Sequence, residues 1–274
     1  MFFLLLLCSK CSGIMSNRPL ILISNDDGVQ AQGIRVLTNM MRTLGDVIVV
    51  APDRPRSGAS CSITPVTPLT IDLLQHEPGL SVYTCNGTPT DCLKMALEVV
   101  VSKKPDLVVS GINHGDNSSV CLHYSGTVGA VLEACMKQVP AIAYSLCTHS
   151  QQCDFSPYEQ VILHTARYVL DHGLPQDVLL NVNFPEVKQL KGAKVCRIGR
   201  GLWIKELEPV SEPQIDGQRI VHGTYRLTGC FQNLEPEATD TDRWALENGY
   251  AAITPVQLDM TTYSLMDTLD SLKL

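Results

Sequence analysis

The chain has 274 residues, 45% hydrophobic and 18% charged, the profile of a soluble globular protein with material for one sizeable core plus an extension. Its net charge of −7 argues against binding a nucleic-acid polymer through a basic surface, since few cations are available to displace counterions from a phosphate backbone. A small phosphorylated ligand held by a few local groups stays open.

The first fourteen residues, MFFLLLLCSKCSGI, hold an apolar run from Phe2 to Leu7. It is shorter than the ~7–15 residues of a secretory core, no basic residue precedes it, and it is too short to span a bilayer. Met15 is the expected natural start, with 1–14 an extension outside the fold and no membrane role. The eleven cysteines are odd in number and irregularly spaced, with only Cys8 and Cys11 as a CxxC pair and no histidine pair at zinc spacing. Reduced thiols in a cytoplasmic protein are the expectation.

Leu20–Ser24 is a short, wholly apolar run, as a strand buried on both faces requires. Ile34, Leu37, Met41 and Leu44 recur at helical spacing before Gly45. Asp46–Ala51 reads as a second strand, Ser81–Cys85 as a shorter one, Thr90–Val101 as a helix and Asp106–Ser110 as a further strand. Gly126–Lys137 reads as a helix, Ala141–Leu146 as a strand, Pro157–Asp171 as a helix and Val178–Asn183 as a strand. This alternation predicts a mainly parallel sheet with helices on both faces over 15–185. From about Pro185 the style changes. KVCRIGRG and QRIVHGTYRL look like hairpin strands with a loop between them, TDRWALENGYAAITP like a short helix and one more strand, and Met260–Leu274 like a weakly amphipathic tail. Residues 186–274 are thus expected to form a C-terminal extension.

In an open parallel sheet, ligands bind beyond the carboxyl ends of the strands. The first strand delivers Asn25, Asp26, Asp27 and Gly28; the second leads to Ser57 and Gly58; Asp106–Ser110 is followed by Asn113; and Ser125, Gly126 and Thr127 open a helix. Adjacent carboxylates repel, so either one stays protonated or a cation sits between them. Carboxylates, a hydroxyl and an amide carbonyl are oxygen donors, the preference of Mg²⁺ and Mn²⁺. Gly28 permits the backbone turn that would bring both aspartates to one ion. Alone, each of these is an ordinary turn residue; the case is their convergence on one edge. Ser125–Thr127 fits a helix cap and a phosphate cradle equally. Arg54 and Arg56 are candidate phosphate clamps. His114 and His123 read as surface or packing residues, and Cys85, Cys92, Cys121 and Cys135 as small packing residues.

Six ordered motifs, ILISNDDGVQAQGI, VVAPDRPRSGAS, YTCNGTPTDC, DLVVSGINHGDN, YSGTVGAVLEA and NGYAAITPVQLD, resemble those of the SurE family of metal-dependent nucleotidases, from Arg18 to about Asp259. The resemblance implies a Rossmann-like α/β core whose C-terminal β-hairpin and tail exchange between subunits, giving a homodimer or homotetramer. It implies hydrolysis of nucleoside 5′- and 3′-monophosphates, with polyphosphate a substrate of some members. Residue by residue, the resemblance puts one divalent metal ion per subunit, Mg²⁺ or Mn²⁺, on Asp26, Asp27, Ser57 and Asn113, and phosphate near Ser125, Gly126 and Thr127. Asn25 and Gly58 are expected to join them in binding the substrate phosphate. Ser119-Val120-Cys121 departs from the glycine and acidic residues that many members carry there.

The expected chemistry is metal-assisted attack of water on phosphorus, with Asp26, Asp27 and Asn113 as the catalytic set. Two rivals are a phosphatase with a covalent aspartyl-phosphate, which in the haloacid-dehalogenase type has Asp-x-Asp after the first strand, and a nucleotide sensor without turnover. No G-x-G-x-x-G follows the first strand, which weighs against a dinucleotide site.

Overall fold

The computed structural model describes residues 18–148, 150 and 152–272; the stretch 1–14 and Met15 lie outside that range. The core runs β1 (Leu20–Ser24), α1 (Gln32–Arg42), β2 (Asp46–Pro52), β3 (Ile71–Glu77), β4 (Leu80–Cys85), α2 (Pro89–Met95), β5 (Leu107–His114) and α3 (Gly126–Met136). It continues through β6 (Ala141–Leu146), α4 (Glu159–His172), β7 (Val178–Phe184) and β8 (Ala193–Val195). An arm and a return to the sheet follow.

All five residues of β1 are buried. Strand side chains alternate faces, so an unbroken apolar run needs a packed layer on each side. Ile21 and Ile23 join one core layer with Ile34 and Leu37 of α1 and Ile162 of α4. Leu22 joins the opposite layer with Leu93 of α2 and Val128 of α3. The sheet order is β3-β4-β2-β1-β5-β6-β7-β15-β8, where β15 is Ala251–Gln257. The stretch from β4 to β7 is parallel throughout. β3 and β15 run antiparallel to β4 and β7 at its flanks. The chain leaves β1 toward β2 and β4, then returns to β5 on the other side. The crevice between β1 and β5 is therefore the topological switch point of a doubly wound sheet.

Three elements differ from the sequence expectation. β3 was not anticipated: its residues are largely exposed, and it exists through pairing with β4 across a turn at Gly79, φ +76°, so it carries no buried periodicity. β5 runs on to His114, where a loop was expected; beyond a register shift after Ser110, Asn113 pairs opposite Ser145. The C-terminal hairpin is also built differently. Lys194 and Val195 of the first expected strand fall in β8, which lies beside β15 in the main sheet.

The arm itself pairs β9 (Gly201–Ile204) with β14 (Cys230–Asn233), β10 (Leu207–Pro209) with β13 (Tyr225–Leu227), and β11 (Gln214–Asp216) with β12 (Arg219–His222). These nest into one projecting ribbon, so the expected loop holds β10 and β11. Their residues are exposed, which is why no apolar alternation marked them. Helix α5 (Asp242–Glu247) leads into β15 as expected. Among the described residues no helix is long and apolar enough to cross a membrane.

Candidate active site

The turn after β1 is stitched to the loop after β2 by backbone bonds: Val29 N–H donates to Pro52 O at 2.9 Å and Arg56 N–H to Asp26 O at 2.7 Å. Gly28 sits at φ +96°, and a Cβ there would lie 3.2 Å from the Arg54 carbonyl carbon. Only glycine combines that dihedral with that approach. Asn25 closes the turn, its Nδ2 donating to Gly28 O at 3.0 Å. Asn25 is thus a scaffold of the turn.

The two aspartates diverge. Asp26 is 3% exposed and accepts a hydrogen bond from the Thr127 hydroxyl at the start of α3. Gly126 makes this possible: a Cβ there would lie 2.9 Å from Asp26 Cβ and 3.1 Å from its Oδ2. Burial lifts the Asp26 carboxyl from 3.8 to about 6; the Thr127 hydroxyl pulls it down, the Asp27 charge pushes it up, and backbone N–H groups of Asp26 and Thr127 lower it. Among the described residues no lysine or arginine pairs with Asp26. Asp27 instead faces His114, accepting from its backbone N–H at 3.1 Å and meeting its Nδ1 at 3.3 Å. His114 Nε2 lies 3.4 Å from the Cys153 thiol.

One cavity of about 550 Å³ gathers Asp26, Ser57, Gly58, Asn113 and Ser125 at the switch point. Asn113 donates its Nδ2 to Gly115 O at 3.1 Å, leaving Oδ1 as the available donor atom of that amide. Ser125 Oγ accepts from Val128 N–H at 3.1 Å, so it caps α3. Gly126 and Thr127 act through Asp26 and do not line the cavity; Asp27 and Asn25 do not line it either. Arg54 and Arg56 do not line the cavity: both lie near Asp53, at 3.9 and 3.5 Å, and Arg56 also donates to Asn86 O at 2.5 Å.

Sequence reading missed part of this site. His114 was assigned to packing, yet it lines the cavity and holds Asp27. Cys121 also lines it, together with Asp116, Tyr124 and, from the root of the arm, Trp203, Glu206, Leu227 and Thr228. The side-by-side positions of Asn113 and His114 at a strand end were the one available signal. The arm residues carried none, because their placement depends on the nested ribbon.

Asp26, Asp116 and Glu206 make the lining acidic, and among the described residues it contains no lysine or arginine. Asp116 is paired with Arg243 from α5. A phosphate dianion entering such a cavity meets net repulsion unless a cation is already there. The Asp26 carboxylate, the Ser57 hydroxyl and the Asn113 amide oxygen that line the cavity suit a hard divalent ion, so the residues present fit one. Among the described residues no three His, Cys, Asp or Glu side chains form a metal cluster.

Fold and site together define a Rossmann-like α/β protein with an acidic ligand cavity at the switch point of its parallel sheet. The family model for survival protein SurE matches residues 21–205, and the chain belongs to that family. It is 49% identical over 255 residues to a protein named 5′-nucleotidase SurE from Bacteroides thetaiotaomicron, covering 93% of this chain and 96% of the relative. A relative of the same name from Phocaeicola vulgatus is 50% identical over 253 residues, covering 92% of this chain and 96% of the relative. The crystal structure of the SurE protein from Aquifex aeolicus superposes with a TM-score of 0.76 at 34% identity, covering 93% of this chain and 99% of that one.

Proposed function

We propose that the chain is a phosphomonoesterase dependent on one divalent metal ion, Mg²⁺ or Mn²⁺, that hydrolyses nucleoside 5′- and 3′-monophosphates to nucleoside and phosphate, with polyphosphate as a further substrate. The nucleotidase part is supported by relatives at about half identity that carry that name. The metal part is supported by one observation above the others: a buried Asp26 carboxylate with no cationic side-chain partner, in an acidic cavity that must accept a phosphate.

Asp26, Asp27, Ser57 and Asn113 would hold the ion. When bound, it supplies charge for the phosphoryl oxygens and acidifies a water for attack on phosphorus. Thr127 and Gly126 fix where Asp26 presents its oxygens, and His114 fixes Asp27. Ser125 and the Asn113 amide, both on the cavity wall, offer hydrogen bonds where charge grows on the phosphoryl group. One of the two aspartates orients the attacking water; the ester P–O bond breaks and the leaving oxygen departs protonated as the nucleoside hydroxyl. A covalent aspartyl-phosphate is not part of this reading, because the acids after β1 are adjacent, whereas the phosphatases that form one carry Asp-x-Asp there.

The same reading makes the chain a homodimer or homotetramer joined by arm and tail, whose Ile215, Ile220, Val221, Met260 and Leu272 are exposed apolar side chains. The free thiols among the described cysteines support a reducing, cytoplasmic setting. The test is Asp26→Asn assayed with saturating Mg²⁺ or Mn²⁺ on a panel of nucleoside monophosphates, beside wild type with and without chelator. Phosphate release should fall by about 100-fold or more. Wild-type turnover by the variant, or turnover untouched by chelator, overturns the proposal.

A further inference from the structure

We infer that Trp203, at the root of the arm, is the platform on which the substrate's base stacks, making it a specificity-determining residue of the cavity. The inference rests on the nucleotidase reading and adds the part of the substrate that reading leaves unplaced.

Asp26, Ser57 and Asn113 account for a cation and a phosphate at one end of a cavity of about 550 Å³, far more than those groups fill. Beside the polar Asp116, Asn117 and Glu206, the rest of the wall carries an aromatic and apolar patch of Trp203, Tyr124 and Leu227. A phosphate or a polyphosphate chain gains nothing from such a patch. A nucleobase does, because every base presents a π-face to an aromatic ring.

The Trp203 ring is held in place before any ligand arrives. Trp203 and Phe231 are cross-strand partners in the β9–β14 pair, with ring centroids 6.0 Å apart and planes at 77°. Phe231 lies so close over Gly201 that a Cβ there would sit 2.2 Å from its ring. The Arg243 guanidinium covers the Phe231 ring at 4.6 Å, and Arg243 is paired with Asp116, itself on the cavity wall. A platform braced by Phe231 in this way loses little freedom on binding, so its stacking surface is available as affinity. Purines, with the larger face, should benefit more than pyrimidines.

The experiment compares kcat/KM for AMP with that for ribose 5-phosphate, which shares the sugar and phosphate but lacks the base. In wild type with Mn²⁺ the ratio should stand well above one, fall about tenfold in Trp203→Leu, and be largely retained in Trp203→Phe. An unchanged ratio in Trp203→Leu overturns the inference. A measurement free of folding effects uses Trp244→Phe, which leaves Trp203 the sole tryptophan of the chain. Adenosine should quench its fluorescence, and no quenching at concentrations that inhibit AMP hydrolysis overturns the inference. Wild type that releases phosphate from neither ester sinks the nucleotidase reading instead, and the fluorescence titration still reports on the platform.

Discussion

Replacing Asp26 by asparagine should make the metal-free protein more stable at neutral pH. Asp26 is 3% exposed, and burial is the main reason its carboxyl moves from 3.8 to about 6. Between those values the folded protein holds a proton that the unfolded chain has released, so stability falls as pH rises through that window. The carboxyl's favourable contribution is complete below 3.8 and gone above about 6. At about 1.36 kcal/mol per pKa unit, the shift corresponds to about 3 kcal/mol. Asparagine has nearly the same shape, keeps an oxygen to accept from Thr127, and never ionises. Urea unfolding in chelator should therefore show Asp26→Asn more stable than wild type by up to about 3 kcal/mol at pH 8, with the gap closing near pH 3.5. Adding Mn²⁺ at about 100 times its Kd should then stabilise wild type by about 2.7 kcal/mol and the variant far less. A variant equally or less stable than wild type at pH 8 without metal would refute the claim that Asp26 carries an uncompensated buried charge.

Three other outcomes follow from the geometry. Gly33→Ala places a Cβ 2.0 Å from Ile112 O where α1 crosses β5, and should cost about 2 kcal/mol or more in urea unfolding; an unchanged midpoint would show that the helix can shift freely. Burial raises the Asp91 carboxyl, but donors from Thr64 and Thr88 outweigh it and hold the net value below 3.8. Its contribution is therefore present above that value and lost as pH falls, so Asp91→Asn should cost about 1–3 kcal/mol at neutral pH and progressively less in acid. His114→Ala removes the side-chain partner of Asp27 but leaves the backbone donor, and should weaken Mn²⁺ binding about 10–100-fold by electron paramagnetic resonance titration. Unaltered Mn²⁺ affinity would remove Asp27 from the metal set.

Much of the core was legible because local pattern reports burial. The apolar runs of β1, β2 and β6, and the helical spacing of Ile34, Leu37 and Met41, each describe an element that must lie between packed layers. Strand ends then located Asp26, Ser57 and Asn113 without knowledge of the pairing, since every parallel strand delivers its last residues to the same edge. β3, β10 and β11 were illegible for the converse reason: their residues are exposed, so pairing alone makes them strands.

The sequence by itself determined that oxygen donors collect at one rim of a parallel sheet. Only tertiary structure decided what each donor does. Thr127 reaches Asp26 across 101 positions, His114 reaches Asp27 across 87, and Trp203 reaches the cavity through a ribbon closed by Phe231. Those meetings depend on strand order, helix seating and cross-strand register, which arise from cooperative packing of the whole chain and leave no periodic trace in any one segment.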